Sequence, residues 1–496
     1  MKNRPIQRGL SQNLTSLFGI ILAAIGFIAG ATLIIIDMQT HFDNPYTGIF
    51  TYMVVPAILL GGLLLILIGV LRERARRKRS DAAIKDMPII DLNDKRQFFT
   101  LAIVVIVTLC FIAISMVGSY RAYHFTESVE FCGKTCHSVM KPEYTAYQSS
   151  PHANAGCTKC HIGPGADFFV KAKLNGLYQV YSTMFNKFNR PIPAPVHNLR
   201  PAKETCYECH WPEKFFGANE LKRTYFRADE ENSPWTIQML LKVGGGNPEL
   251  GHAQGIHWHV TENNKIEYIA TDEKRLEIPW MRMTDSEGNE TVFQTTDKSK
   301  QLTPEQIAEA EIRTMDCIDC HNRPTHQYHS PERSINEALS LGLLDPEMPE
   351  IKLNGIEALT GDYATEDEAL KAIEDLLKDA YPEGGEAVEN AITTLQRIYS
   401  QNMFPEMKVS WEEYPDHIGH MITPGCFRCH NGDHETAEGK VITRECASCH
   451  TIIAQGPGRD VSSINTGGLE FIHPEDIDGE WKVTRCDECH TGVPVM

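Results

Sequence analysis

Three apolar stretches open the chain, 17–36, 51–71 and 98–117, each long enough to cross a bilayer as a helix of about 20 residues. No small-residue cleavage site follows the first and two more spans come after it, so it reads as an anchor rather than a signal peptide. Charge sets the direction. Lys2, Arg4 and Arg8 precede the first span, 37–50 holds no Lys or Arg, and the next connection carries Arg72, Arg74, Arg76, Arg77, Lys78 and Arg79. Basic connections stay cytoplasmic, which predicts a cytoplasmic N-terminus and an external remainder after the third span. Tyr120 and Tyr123 follow that span, where amphipathic rings suit the headgroup layer.

Past residue 121 the periodicity breaks into short segments. The runs 265–270, 276–283 and 291–295 look like strands between Asp- and Gly-bearing turns and predict a small antiparallel insert. Residues 333–400 read as helices, with 366–380 and 386–400 the clearest. Thr303-Pro304-Glu305-Gln306 has the form of a capping box with proline at the first helical position, so a helix leads toward residue 317.

The cysteines change the picture. Of 15, 14 fall into seven pairs, each followed at once by histidine. These are Cys132 and Cys136 with His137, Cys157 and Cys160 with His161, Cys206 and Cys209 with His210, and Cys317 and Cys320 with His321. Three more follow: Cys426 and Cys429 with His430, Cys446 and Cys449 with His450, and Cys486 and Cys489 with His490. Six are C-x-x-C-H and the first, CGKTCH, has one extra residue. Two thiols one turn apart reach the two vinyl groups of a porphyrin, and the next imidazole then lies over the iron. Zinc ribbons and disulfide frameworks also use paired cysteines, but neither requires a histidine after every pair. Seven covalently bound haem c groups are therefore expected, with the seven motif histidines as proximal ligands. Cys110 lies in an apolar span without such a histidine and reads as inert.

The expected fold is membrane-anchored and mainly α, with three transmembrane helices plus a loop-rich multihaem c domain bearing a small β insert. Its segments are 1–120 in the membrane, 121–215 with three motifs, 216–310 as the insert, 311–425 with the fourth motif and helices, and 426–496 with the last three motifs. Residues 1–120 hold 12 Lys/Arg against 7 Asp/Glu, a net +5, while the remainder holds 35 against 58, a net −23. Such an acidic outer domain argues against nucleic acid and suits cationic partners, although charge of this size also serves solubility.

Distal ligands must come from the histidines outside the motifs. His152, His197, His259, His329, His420 and His434 are the preferred six, with His257, His326, His417 and His473 close behind. The close pairs His257/His259, His326/His329 and His417/His420 are each expected to supply one ligand. His124, at the membrane edge, reads as interfacial or near a quinone. Around the first motif, Met140 stands three residues after His137. A methionine ligand would raise the iron's potential, an open iron would suit contact with a substrate, and a gap-filling core methionine is the bland alternative.

Residues 131–210 resemble the NapC/NirT family of membrane quinol dehydrogenases through FCGKTCHSVMKPEYTAYQSSPH (131–152), CTKCHIGPGADFFVKAKLNG (157–176) and RPIPAPVHNLRPAKETCYECH (190–210). With seven motifs and three spans, the whole chain resembles the ImcH-type inner-membrane heptahaem cytochromes of metal-reducing bacteria. The resemblance implies that quinol, expected to be menaquinol from the membrane quinone pool, is oxidised at the first haem and that electrons pass to periplasmic acceptors in anaerobic respiration. It also implies a quinol site using a lysine and an acidic residue on the helix after the second motif. Here that helix is 168–185, with Lys171 and Lys173. Gln179 or a neighbouring tyrosine stands at the acidic position, which leaves Asp167 or Glu143 as the proton acceptor. Two other readings are a terminal reductase of a small oxyanion, disfavoured by the acidic charge, and a haem-bearing anchor for a separate reductase.

Overall fold

The computed structural model describes residues 13–40, 54–79, 92–135, 137–163, 166–194, 201–211, 215–244, 255–261 and 263–493. The chain divides into two units, Met1–Met140 and Lys141–Met496.

Among its described residues the first unit holds three apolar helices long enough to cross a membrane: α1 (Leu14–Thr40), α2 (Val55–Arg79) and α3 (Lys95–Thr126). These correspond to the three predicted spans, although the predicted start of the second, Thr51, lies outside the described residues. Small side chains let α1 and α2 approach closely. A Cβ on Gly62 would lie 2.5 Å from the Ala23 nitrogen, and one on Gly26 would lie 2.9 Å from the Leu59 nitrogen. Gly69 meets Ser16 at the other end, so the two helices run antiparallel. Asn13 Nδ2 donates to the Gly69 carbonyl at 3.1 Å and Ser16 Oγ to that of Ile66 at 3.3 Å. Close backbone approach and a few polar bonds hold apolar helices together where the hydrophobic effect between them is weak. Asp94 caps α3 by accepting from the Arg96 amide at 2.9 Å.

The second unit mixes helices with two antiparallel sheets, which is more strand than a mainly α chain with one insert. Helix α4 (His137–Gln148) leads into it, and α5 (Ala166–Met184) follows the second motif. The first sheet orders β1 (Asn219–Phe226), β2 (Pro234–Leu241) and β8 (His450–Pro457). The second orders β6 (Arg313–Thr314), β3 (Lys265–Ile269), β4 (Trp280–Thr284), β5 (Glu290–Thr295) and β7 (His434–Glu435). The strands within 216–310 therefore do not stand alone. A short hairpin is marginal without further partners, and here β6, β7 and β8 supply them from the flanks of motifs. Strand β8 begins at a motif histidine, His450, which pairs with Leu241 of β2. Strand β7 begins four residues after His430, and β6 ends three residues before Cys317. The sheets are thus the frame to which the fourth, fifth and sixth motifs are tied.

Helix α6 (Pro304–Glu309) starts at the predicted capping box: Thr303 accepts from the Gln306 amide, and Gln306 reaches back to the Thr303 amide. Beyond the fourth motif, α7 (Pro331–Ser340), α8 (Ile351–Thr360), α9 (Glu366–Ala380) and α10 (Glu386–Asn402) build the main aliphatic core. Ile335, Leu339, Ile351, Ile373, Leu377 and Leu395 are wholly buried there, and Phe226 of β1 joins them. Buried Asn232 ties the β1–β2 turn to the helices, donating to the Met348 carbonyl at 2.8 Å and accepting from the Lys352 amide at 3.0 Å. This core contains no haem motif, so its stability is open to an ordinary side-chain test. Leu395→Ala should destabilise the folded protein by about 2–5 kcal/mol, whereas Leu341→Ala, at a side chain 67% exposed, should change it by less than about 0.5 kcal/mol. Chemical denaturation followed by circular dichroism compares the two, and equal effects would contradict this packing.

Candidate haem sites

Each regular motif lies on a single tight turn. The His210, His321, His430 and His490 amides donate to the carbonyls of Cys206, Cys317, Cys426 and Cys486 at 2.8–3.0 Å. That bond closes one turn, so the two thiols and the imidazole leave the backbone close together, as one porphyrin requires. Asp316 and Asp319 form a capping box around the fourth motif. In the first motif, Phe131–Thr135 forms a wider π-type turn, which accommodates its extra residue. Cys136 lies outside the described residues, as does the His137 side chain; Met140 is half-buried on α4.

Two imidazoles on opposite faces of one iron, with metal–nitrogen bonds of about 2 Å, have ring centres about 6.3 Å apart. All six motif histidines from His161 onward meet a second histidine near that separation. His161 faces His326 at 6.2 Å, His210 faces His152 at 6.0 Å, and His321 faces His257 at 6.4 Å. His430 faces His259 at 5.7 Å, His450 faces His420 at 6.2 Å, and His490 faces His473 at 6.1 Å.

The hydrogen bonds of the second histidines fit the same chemistry. A neutral imidazole offers a metal one lone pair, and a carbonyl on the other nitrogen fixes the tautomer. Nδ1 faces a backbone carbonyl in His152 (Pro324, 3.2 Å), His257 (Val243, 2.6 Å), His259 (Ile256, 2.9 Å), His326 (Glu143, 3.0 Å) and His473 (Glu475, 2.9 Å). Since a carbonyl only accepts, Nδ1 carries the proton and Nε2 keeps its lone pair in the first four; His473 Nδ1 also meets the Glu475 amide, which donates to it at 3.1 Å. His420 and His450 each leave Nδ1 buried without a partner. Burial holds His326 at about 4, well below the ordinary range, and lowers His161, His259, His420 and His450 as well. The residues present therefore fit haem held between paired imidazoles.

Other expected ligands are not among these facing pairs. His434 is buried with both ring nitrogens turned toward protein groups, Asn431 Oδ1 at 3.0 Å and the Ile278 carbonyl at 2.7 Å, so neither faces a metal. His417 is engaged likewise by Arg428 at 3.1 Å and the Lys274 carbonyl at 3.0 Å. His329 faces no motif imidazole among the described residues; its amide donates to Asn402 Oδ1 at 2.8 Å, and burial lowers its ring to about 4. His197 lies outside the described residues. One ligand per close pair does not describe His257 and His259, since each faces a different motif histidine. His124 is exposed beside Tyr120, with ring centres 4.4 Å apart.

The motifs are also neighbours in chain order. Cys160 lies near Cys206 and Cys209, and Cys206 lies beside Cys317. Cys320 lies near Cys426, Cys449 near Cys426, and Cys486 near Cys446. Of the residues expected at a quinol site, Lys171 is exposed and Lys173 half-buried on α5, while the Asp167 side chain lies outside the described set. The Glu143 carboxyl is raised by burial beside Arg323 and Tyr328.

Repeated one-turn motifs, paired imidazoles and apolar helices define the class: a membrane-anchored multihaem c-type cytochrome that transfers electrons. The NapC/NirT cytochrome c family, N-terminal region, matches residues 94–193. The chain is also 42% identical over 493 residues to cytochrome c-type protein ImcH of Geobacter sulfurreducens, spanning 97% of this chain and 96% of that protein. It belongs to that family of NapC/NirT-type c cytochromes, and membership implies covalently bound haem c. No solved structure matches the chain.

Single substitutions separate the two kinds of histidine. His326→Ala or His473→Ala should leave the covalently bound haem mass unchanged in denaturing mass spectrometry but turn one low-spin haem high-spin by magnetic circular dichroism. His434→Ala should leave every haem low-spin and instead cost about 1–3 kcal/mol of stability through its lost buried hydrogen bonds. High-spin haem in the His434 variant would reverse these assignments.

Proposed function

We propose that this protein oxidises membrane quinol, menaquinol in the simplest reading, and passes single electrons through seven haem c groups to periplasmic cytochromes. The observation that carries the proposal is the run of six facing histidine pairs on motifs that neighbour one another in chain order. Each haem supplies a one-electron iron couple. His161, His210, His321, His430, His450 and His490 act as proximal ligands, with His326, His152, His257, His259, His420 and His473 opposite them. His137 serves the first haem, with Met140 its candidate partner. The fourteen motif cysteines carry the thioether bonds.

A quinol gives up two electrons and two protons, so its site needs a charge stabiliser and a base. Lys171 and Lys173 suit the first task, donating to a quinol oxygen as negative charge develops there. Asp167 or Glu143 would take the proton. Helix α5 also suits a membrane surface: Leu174, Leu177, Tyr178, Tyr181 and Met184 lie at helical spacing and are all exposed. The reductase alternative needs an iron with an open distal position, and the six facing pairs argue against one beyond the first motif. A basic acceptor fits the helical region 331–402, where 16 Asp/Glu stand against 5 Lys/Arg.

Replacing Lys171 and Lys173 together by alanine should slow reduction by a menaquinol analogue by about tenfold or more, with reduction by dithionite unchanged. Quinol reduction at the unaltered rate would move the site elsewhere in the protein. The orientation, N-terminus inside and haem domain outside, rests on the Arg72–Arg79 run. A reporter active only in the cytoplasm should work when fused after residue 80 and fail at the C-terminus; the opposite pattern would overturn the topology.

A further inference from the structure

The fourth and fifth motifs are joined more tightly than motifs that merely neighbour each other. Arg428 lies between the two cysteines of the fifth motif and is buried, 7% exposed. It donates to the Asp319 carbonyl, inside the fourth motif, at 2.6 Å, to the Arg275 carbonyl at 3.1 Å and to the Gly425 carbonyl at 2.8 Å. Its remaining partner is His417 Nδ1 at 3.1 Å, on a ring whose other nitrogen faces a carbonyl. None of these partners is a carboxylate, so the Arg428 charge is not neutralised by them.

Two further guanidiniums converge on the same place. Asp319, 1% exposed, accepts from Arg313 Nε at 2.7 Å, Arg275 Nη1 at 3.1 Å and the Tyr268 hydroxyl at 2.7 Å. Its second oxygen takes the Asp316 amide at 2.7 Å. Asp316 points its own carboxylate at the Cys317 and Lys203 amides, on the side of the third motif. Arg275 and Arg313 thus share the one buried Asp319 carboxylate, and Arg428 holds the same residue by its carbonyl, at the junction of two motifs. Arg275 adopts a left-handed φ of 55°, and from there its guanidinium reaches Asp319 while its carbonyl holds Arg428. A non-glycine residue in that conformation carries a backbone cost that the surrounding contacts must offset.

The opposite side of the pair is fixed by a single turn. The 3-10 turn Ile256–Val260 holds both His257, facing His321, and His259, facing His430. One short rigid segment therefore faces both motif imidazoles.

We propose that Arg428, Arg275 and Arg313 form a fixed cationic wedge that holds the haems of the fourth and fifth motifs at higher potential than they would otherwise have. This rests on the ligand pairs proposed above. Oxidised haem carries one more positive charge than reduced haem, so a buried, uncompensated cation favours the reduced state. The pair would form a shallow electron store midway along the chain, between the three earlier and the two later motifs.

The test is a spectropotentiometric titration of the full-length, haem-loaded protein and its variants in detergent. Arg428→Gln should shift two of the seven haem components to lower potential and leave the others in place. Arg275→Gln, at a more accessible side chain, should shift the same two by less and serves if Arg428→Gln fails to accumulate. Unmoved potentials, or an equal shift of all seven, would overturn the proposal. His257→Ala and His259→Ala control the underlying reading: each should turn one, different, haem high-spin. If both leave every haem low-spin, the ligand reading fails; if both act as expected and the arginine variants move nothing, the wedge alone fails.

Discussion

An imidazole has two nitrogens, and the use of the second one sorts the histidines of this protein. Where Nδ1 meets only a backbone carbonyl, as in His152, His257, His259 and His326, the ring keeps one lone pair directed away from the backbone. Each of these rings faces a motif histidine. Where both nitrogens are bonded within the protein, as in His417 and His434, the ring faces none and joins strands and loops instead. The separation of the facing rings, 5.7–6.4 Å, is too wide for direct contact and matches a shared metal. Much of the rest of the second unit can be understood as the scaffold that maintains these separations.

That scaffold explains why strands occur where the chain has little hydrophobic alternation. Porphyrins supply apolar surface but no backbone partners, and a buried backbone group without a partner is costly. Strands β6, β7 and β8 meet that need at the flanks of the fourth, fifth and sixth motifs, pairing with β3, β5 and β2 respectively. A motif tied to a sheet edge has little freedom to drift, which favours fixed spacing between neighbouring haems. The helices α7–α10 play a different part: they carry the aliphatic core and bury Phe226 of β1, anchoring the first sheet from outside the haem region.

The elements legible in the sequence were those governed by local chemistry. The three apolar spans, the Thr303 capping box and the helices at 366–380 and 386–400 follow from length, spacing and caps, and the structure has helices at each place. The motif turns follow from their cysteine spacing. The strands β1 and β2 were not legible, because β1 reads NELKRTYF, with charge at three of its eight positions, and the further partner of β2 is β8, more than 200 residues away. The partners of the motif histidines were illegible for the same reason. Nothing in the local sequence separates His326 from His329; what separates them is the Glu143 carbonyl, 183 residues from His326 in the chain. At His257 and His259, economy suggested one ligand, and a tight 3-10 turn presents both rings to different motif histidines.

The distribution of charge follows from the same long-range organisation. An acidic exterior and a cationic junction are opposite solutions to moving electrons. The sixteen acidic residues of 331–402 lie on helices and their connections without any haem motif, where most are hydrated, screened and able to attract a basic partner at modest energetic cost. Arg428 and Asp319 lie inside motifs, where burial removes that screening and each charge acts strongly over a short range. A surface charge can therefore steer association while barely altering an iron's potential, and a buried one can set a potential while contributing nothing to docking. Keeping the first kind on α7–α10 and the second at the junction of the fourth and fifth motifs lets partner recognition and electron energetics be tuned independently. In the proposed reading that separation explains a helical region of some seventy residues, 331–402, that contains no haem motif of its own.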